Sequence, residues 1–194
     1  MATGVAELIE PINSYSSNLM QLPVLTGPLT RLRPLEEDDW VSLYAAASDP
    51  QIWGHHFEPD RHKESVFRRF FDNALADGAL TIEDRATNSV IGSSRYYDLN
   101  GDGSEIKIGY TFLARPYWGG RYNTEIKHLM LEHIFGHVQI VAFDVAQSNH
   151  RSALAMRRLG ARQRDGEFMK VWNGTTHPYF VFEITYEDYV NSRD

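Results

Sequence analysis

The stretch RPYWGGRYNTE, residues 115–125, joins a run that alternates like a strand to a run with helical spacing. Gly119 and Gly120 stand at the handover, where the backbone must bend or come close to a ligand. The amides of residues 119–123 would then point outward from the start of a helix, where the dipole is positive. Such an end binds a pyrophosphate without needing any particular side chain. It is not a P-loop, since no Gly-Lys-Ser/Thr follows, and not a dinucleotide fingerprint, whose third glycine is missing. A tight turn that binds nothing is the other reading of these residues.

Three further groups could do chemistry. DLNGDGSE, residues 98–105, has Asp98, Asn100, Asp102 and Gly103 where a calcium loop begins, but Gly109 replaces the bidentate glutamate and the flanks alternate like strands. It reads as a hairpin turn. His133 and His137 have the i, i+4 spacing of metal ligands, but the glutamate of a zinc-protease helix is absent and no third ligand is indicated, so no metal is expected. His55, His56 and His62 fall between two helical runs, in a polar loop of the kind that also lines substrate sites.

The chain has no cysteine, which removes thiolate nucleophiles, disulfides and cysteine-ligated zinc. Its net charge of −7 argues against a nucleic-acid or anionic-membrane partner, while leaving room for a local basic patch. No stretch reaches the roughly 20 apolar residues of a membrane helix, and the first residues lack the pattern of a secretory signal. A cytoplasmic protein is expected. With 194 residues and 42% hydrophobic content, one domain over residues 23–194 behind a loose arm, residues 1–22, is the expected organisation.

The elements that must position these groups follow from periodicity. LTRLRPL (29–35) alternates as a strand; LEEDDWVSLYAAA and SVFRRFFDNALADG follow as helices, the first opening on carboxylates and the second closing at Gly78. ALTIEDR, SVIGSSRYYDL and SEIKIGYTFL form a three-strand meander with turns at 86–88 and 100–103. The helix after Gly120 places Ile126, Leu129, Met130, His133, Ile134 and His137 near one face. IVAFDVA is a strand, NHRSALAMRRLG a helix capped by Asn149 and stopped by Gly160, and YFVFEITY completes a closing hairpin.

YWGGRYNTE, its helix, the next strand and NHRSALAMRRLGA (149–161) together resemble the GNAT N-acetyltransferases, most of all their RimJ/RimL-like branch of ribosomal-protein N-terminal acetyltransferases. EIKIGYTFL and the element order agree, so the resemblance extends over about residues 29–189. It implies an α+β fold: a mixed, mostly antiparallel sheet, splayed in the middle, with helices on both faces. It also implies acetyl-CoA as co-substrate, its pyrophosphate on the first motif at Trp118, Gly119, Gly120, Arg121, Tyr122 and Asn123. Trp118 stands in the motif's Arg/Gln place and Arg121 in that of its first glycine. If position 121 is already helical, a side chain fits there and its guanidinium could pair with a phosphate.

The resemblance further implies that pantetheine lies in the splay against strand amides near Phe112 and Leu113, with Asn149 touching it. The reaction implied is direct attack of a neutral amine, so a base is needed, less strong for an α-amino group (pKa about 8) than for a lysine (about 10.4). Glu105 and Asp98, beside the meander turn, are the candidates for that base; solvated turn carboxylates are their bland alternative. Met156 stands where many members have an acidic tyrosine, and Ser152 is the nearest replacement. The partner implied is an amine, either a small molecule or a protein N-terminus, with homodimer formation left open. A non-catalytic acyl-CoA-binding module is the alternative function.

Overall fold

The computed structural model describes residues 22–172 and 174–192; the arm expected over 1–22 lies outside them except for Leu22. In chain order the elements are β1 (Leu25–Thr26), β2 (Thr30–Pro34), α1 (Trp40–Ala47), α2 (Glu64–Ala76), β3 (Leu80–Asp84), β4 (Ser89–Tyr97), β5 (Glu105–Leu113), α3 (Arg121–Ile134), β6 (Ile140–Ala146), α4 (His150–Arg158), β7 (Arg162–Gln163), β8 (Phe168–Trp172), β9 (Thr175–Thr185) and α5 (Tyr186–Asn191). The strands form one sheet in the order β1-β2-β3-β4-β5-β6-β9-β7, with β8 on β9. Only β5 and β6 run parallel among the described strands. The expected α+β layering is therefore present, and the two turns of the meander fall where the sequence puts them.

Each face of the sheet carries its own core. Phe67, Phe70, Phe71 and Ala74 recur at helical spacing along α2 and bury one stripe against Leu43, Ala47, Trp53 and Phe112. On the other face, Ile126, Met130, Leu131 and Ile134 of α3 meet Ile106, Ile108, Val141 and Phe143 of the sheet. Each such large apolar side chain contributes about 1.5–3 kcal/mol when fully buried.

The buried face of α3 is rotated from the expected one. Lys127 and Leu131 are buried, Leu129 and His133 are only half-buried, and His137 is exposed. The reason is that a hydrophobic pattern assigns every lysine to solvent, whereas Lys127 lies on the 127/131/134 row that the sheet covers.

The sheet opens between β5 and β6. Pairing is limited to Glu105↔Ile140, Ile106↔Val141 and Lys107↔Ala142; beyond these, residues 108–113 and 143–146 run on without pairing to each other. A bulge helps β5 turn away: its register with β4 slips between Ser93 and Arg95, and opposite the slip Tyr110 takes a φ of 53°. A left-handed tyrosine costs on the order of 1–3 kcal/mol and is tolerated where the surroundings hold it. Here the Arg95 guanidinium lies 3.5 Å from the centre of its ring, and Tyr97 packs edge-on at 5.0 Å.

Candidate active site

The loop from β5 to α3 meets the requirement for an anion cradle. Gly119 and Gly120 have φ of 104° and 110°, and a Cβ on either would meet nothing within 4 Å. Arg121 is the first residue of α3, so a side chain there is compatible with the backbone. No side chain caps this helix and no acidic residue occupies its first turn, whereas α4 and α5 are capped by Asn149 and Thr185. The first amides of α3 thus carry the unopposed positive end of the dipole.

The cradle is held from several sides. Trp118 Nε1 donates to Leu113 O at 2.8 Å, and the Arg151 guanidinium lies 3.8 Å above the Trp118 ring. Tyr122 donates to Asp84 Oδ1 at 2.9 Å. Glu125 accepts from Leu29 N at 2.9 Å and from Thr30 N and Oγ1 at 2.7 and 2.8 Å, tying α3 to β2. Glu125 and Arg151 had no role in the sequence reading. Arg151 has one visible signal, a cation inside NHRSAL, but only the fold lays it against Trp118.

Between the cradle and the closed end of the sheet runs the fork. Phe112 O is turned to β4, for a Cβ on Gly92 would come within 2.0 Å of it. By strand alternation Thr111 and Leu113 present their backbone groups to the fork. This corrects the expected part of Phe112: its amide faces β4 and its ring belongs to the α2 core. Asn149 caps α4 through Oδ1, which accepts from Ser152 N at 3.1 Å. Its NH₂ group is not used in that bond. Ser152 is half-buried one turn into α4, and Met156 is buried in the core.

Of the two carboxylates expected to act as base, Glu105 lies away from the fork, and Asp98 reaches its edge only through Lys107, which it shares with Asp144. Glu105 is paired with Ile140 at the closed end, and Arg164 grips its carboxylate together with that of Glu183. Asp98, exposed at the meander corner, pairs with Lys107 Nζ at 3.1 Å. Proximity to the turn put both on the expected list, but the fork opens toward the other end of β5. Six strand residues, about 20 Å, separate Glu105 from Thr111.

A different carboxylate stands where the strands part. Asp144 of β6 is buried; its Oδ2 accepts from Tyr97 Oη at 3.1 Å, from Lys107 Nζ at 3.1 Å and from Lys170 Nζ. Its Oδ1 is also buried and has no partner among the described residues. Burial pushes this carboxyl up, but the lysine hydrogen bonds and charges outweigh it and hold it below the usual range. Burial and then Asp144 push the Tyr97 phenol well above its usual value, and Tyr179, on the same face, is pushed up to about 12 by burial and Asp144. A neutral hydroxyl, an ionised carboxylate with one free oxygen and aromatic walls can take up an amine and an attached apolar group.

The histidine-bearing loop closes this side. Arg61 is buried, donates to Glu58 and lies 5.0 Å from the Trp53 ring and 4.7 Å from that of Phe70. His56 accepts from Glu58 N at 3.1 Å, His62 bonds Pro59 O at 2.9 Å and His55 is exposed. Among the described residues no group of three potential ligands could hold a metal. No helix among them is long and apolar enough to cross a membrane.

The model of the acetyltransferase (GNAT) domain family matches residues 30–162, and the chain belongs to that family. A search of curated protein sequences finds no match. Among solved structures, a GCN5-related N-acetyltransferase from Brucella melitensis is 20% identical with a TM-score of 0.79, covering 89% of this chain and 83% of its own. A GNAT-family acetyltransferase from Bacillus anthracis is 17% identical with a TM-score of 0.71, covering 85% of this chain and 99% of its own. The spermidine N-acetyltransferase of Vibrio cholerae, solved with CoA and spermine, is 17% identical with a TM-score of 0.65, covering 85% of this chain and 100% of its own. At these identities the likeness is one of fold: a mixed, mostly antiparallel, open sheet with helices on both sides. The family uses acetyl-CoA. The residues here fit it, for a helix start free of side-chain caps and a fork with unpaired edges match a pyrophosphate and an amide-bearing arm.

Proposed function

We propose that this chain is an N-acetyltransferase of the RimJ/RimL-like branch, working in the cytoplasm, that acetylates a primary amine on a small molecule or a protein N-terminus. The observation that carries the reading is the uncapped start of α3 behind two left-handed glycines, opening onto a fork whose strand edges are unpaired. The amides of Gly119, Gly120, Arg121, Tyr122 and Asn123 hold the pyrophosphate, with the Arg121 guanidinium adding charge and Trp118 bracing the loop. The fork-facing amide of Leu113 and the NH₂ group of Asn149 hold the pantetheine arm. Acetyl-CoA, when bound, supplies a thioester activated toward an amine. The free Oδ1 of Asp144 accepts an N–H of that amine and orients it, and the Tyr97, Tyr110 and Tyr179 rings exclude water around it.

A second reading, an acyl-CoA-binding module without catalysis, is favoured by Met156, which puts a buried thioether where the family's acidic tyrosine would stand. Release of free thiol from acetyl-CoA with a panel of amines separates the two: any amine that drives release supports the enzyme, and CoA binding without release supports the module. The cradle is tested by Gly120→Val, a β-branched residue at φ 110°. The variant should keep its circular dichroism spectrum and lose CoA binding; unchanged affinity would overturn the assignment.

A further inference from the structure

Lys127 is a cation where a core residue belongs. It is 4% exposed on the row of α3 that packs on the sheet, between Ile126 and Met130. Its Nζ donates to Thr111 Oγ1 at 2.6 Å on one wall of the fork and stands 5.8 Å from the centre of the Phe143 ring on the other. Phe143 is the first residue of β6 past the last pair with β5, so the ammonium sits where the strands separate.

An ammonium has three N–H donors, and this one meets a single acceptor among the described residues. Thr111 Oγ1 accepts from Nζ and also shares a hydrogen bond with Ser94 Oγ at 2.7 Å in which either hydroxyl can donate. The elements packed around Nζ offer it Ser94 on β4, Thr111 on β5 and Phe143 on β6; no carboxylate and no second cation touches it among the described residues. A buried charge left this way is costly, and a hydrophobic residue would fill the site at no such cost. What remains is two N–H groups unmet at the apex of the fork, on the face where α4 carries Met156.

Resting on the acetyltransferase reading above, we infer that Lys127 donates the proton that the sulfur of coenzyme A takes up as it leaves. The nitrogen lone pair of the amine forms the C–N bond to the acetyl carbon. The C–S bond breaks, its electron pair stays on sulfur, and an Nζ–H proton joins that pair to give the thiol. Lys127 is left neutral; the surplus proton of the new amide nitrogen goes to water, and Lys127 takes one back from water before the next turnover. Burial pushes the Lys127 ammonium down to about 7. An ordinary lysine, near 10.4, would hold its proton against a thiolate near 8.5, whereas an acid near neutrality passes it downhill. The missing tyrosine is thereby replaced from α3 rather than from α4.

The test uses the full chain labelled with ¹³Cε-lysine. The four lysines, Lys63, Lys107, Lys127 and Lys170, give few signals, and that of Lys127 is expected to titrate near neutrality, its assignment fixed by its loss in Lys127→Met. CoA should move this signal and its titration, and desulfo-CoA, which lacks the sulfur, should not. In parallel, Lys127→Met should bind CoA as the wild type does but transfer acetyl about 100-fold more slowly. Its pH–rate profile should lose the alkaline limb, because the donor of the wild type is depleted as pH rises. A Lys127 signal that responds alike to CoA and desulfo-CoA, or a variant with wild-type turnover and alkaline limb, overturns the inference. If Lys127→Met does not fold, the spectra of the wild type decide alone, on the signal that titrates near neutrality. A wild type that binds no CoA overturns the function reading and this one together, whereas intact transfer with an inert Lys127 overturns this one only.

Discussion

Lys127 and Asp144 are two buried charges on opposite faces of the same fork, and they are treated in opposite ways. Asp144 receives a phenol and two ammoniums on a single oxygen, and the two lysines reach it from β5 and β8. Its charge is fixed by partners. Lys127 has one neutral hydroxyl, and its charge is opposed only by the cost of burial. A paired ion resists a change of protonation; an unpaired one is poised for it. On the reading proposed above, the side that orients the nucleophile is thus rigidly ionised, and the side that exchanges a proton is not.

The contrast is broken most severely by removing the lone cation. Lys127 binds its proton less tightly folded (about 7) than unfolded (about 10.4), so between these values the unfolded chain holds more protons and stability rises with pH. Below pH 7 both states are protonated and the penalty is complete. Lys127→Met should therefore be more stable than the wild type by about 4 kcal/mol near pH 6, with the gap closing toward pH 10. Urea denaturation of both proteins at a series of pH values measures it, and shared tyrosine titrations cancel in the difference. A gap independent of pH would mean that Lys127 is not a titrating group.

Removing Asp144 should act in the other direction and less strongly. Asp144→Ala leaves Lys107 and Lys170 facing each other without their carboxylate, but their side chains are 21% and 41% exposed and can turn to water. A loss of about 2 kcal/mol is expected, below the range for a wholly buried pair. The carboxyl is held below its usual range, so this contribution is present at neutral pH and should vanish as the wild type is acidified through the folded value. Equal stability of the two proteins at pH 7 would make the Asp144 cluster an ornament of the surface rather than a fixed charge.

How legible each charge was in the sequence follows from where its neighbours come from. The element order, the meander turns and the bend at Gly119 and Gly120 ahead of α3 are local features, set by periodicity and by adjacent glycines, and they were readable. The Asp144 cluster was not, because its donors come from β4, β5 and β8, and IVAFDVA alone shows only a strand with one polar residue. Lys127 is absent from the expected face of α3, because an apolar pattern passes over a lysine even where it shares a helix row with Leu131 and Ile134. Glu105 and Asp98 were selected for nearness to a turn that lies at the wrong end of β5. The direction of Phe112 could not be read because a bulge, with Tyr110 left-handed, resets the alternation between the turn and the fork.

The cradle differs from both buried ions in holding its charge on backbone. Arg121 is exposed at the first position of α3, so its guanidinium can add to the site but the dipole and amides persist without it. Arg121→Ala should weaken CoA by about 1–2 kcal/mol, most at low salt, where an exposed charge is least screened. Calorimetric titration at two ionic strengths measures this, and full affinity at low salt would show that the side chain turns away from the phosphates.

The smallest effect is expected at Glu105, and it sharpens the comparison because Glu105 is a carboxylate on the same pair of strands as Asp144. Arg164 binds it with Glu183 as a second partner, and both side chains of the pair keep some contact with solvent, at 28% and 18%. Such a pair contributes about 1 kcal/mol or less. Glu105→Gln retains hydrogen-bonding capacity toward Arg164, so stability should fall by no more than that, and acetyl transfer and its pH profile should match the wild type. The distance along β5 is the reason: a group at the closed end has no path to an amine held at the open end. If Glu105→Gln instead slowed transfer below the pKa of the amine and recovered at higher pH, the base would lie at the meander turn. The division of labour between Asp144 and Lys127 across the fork would then be wrong.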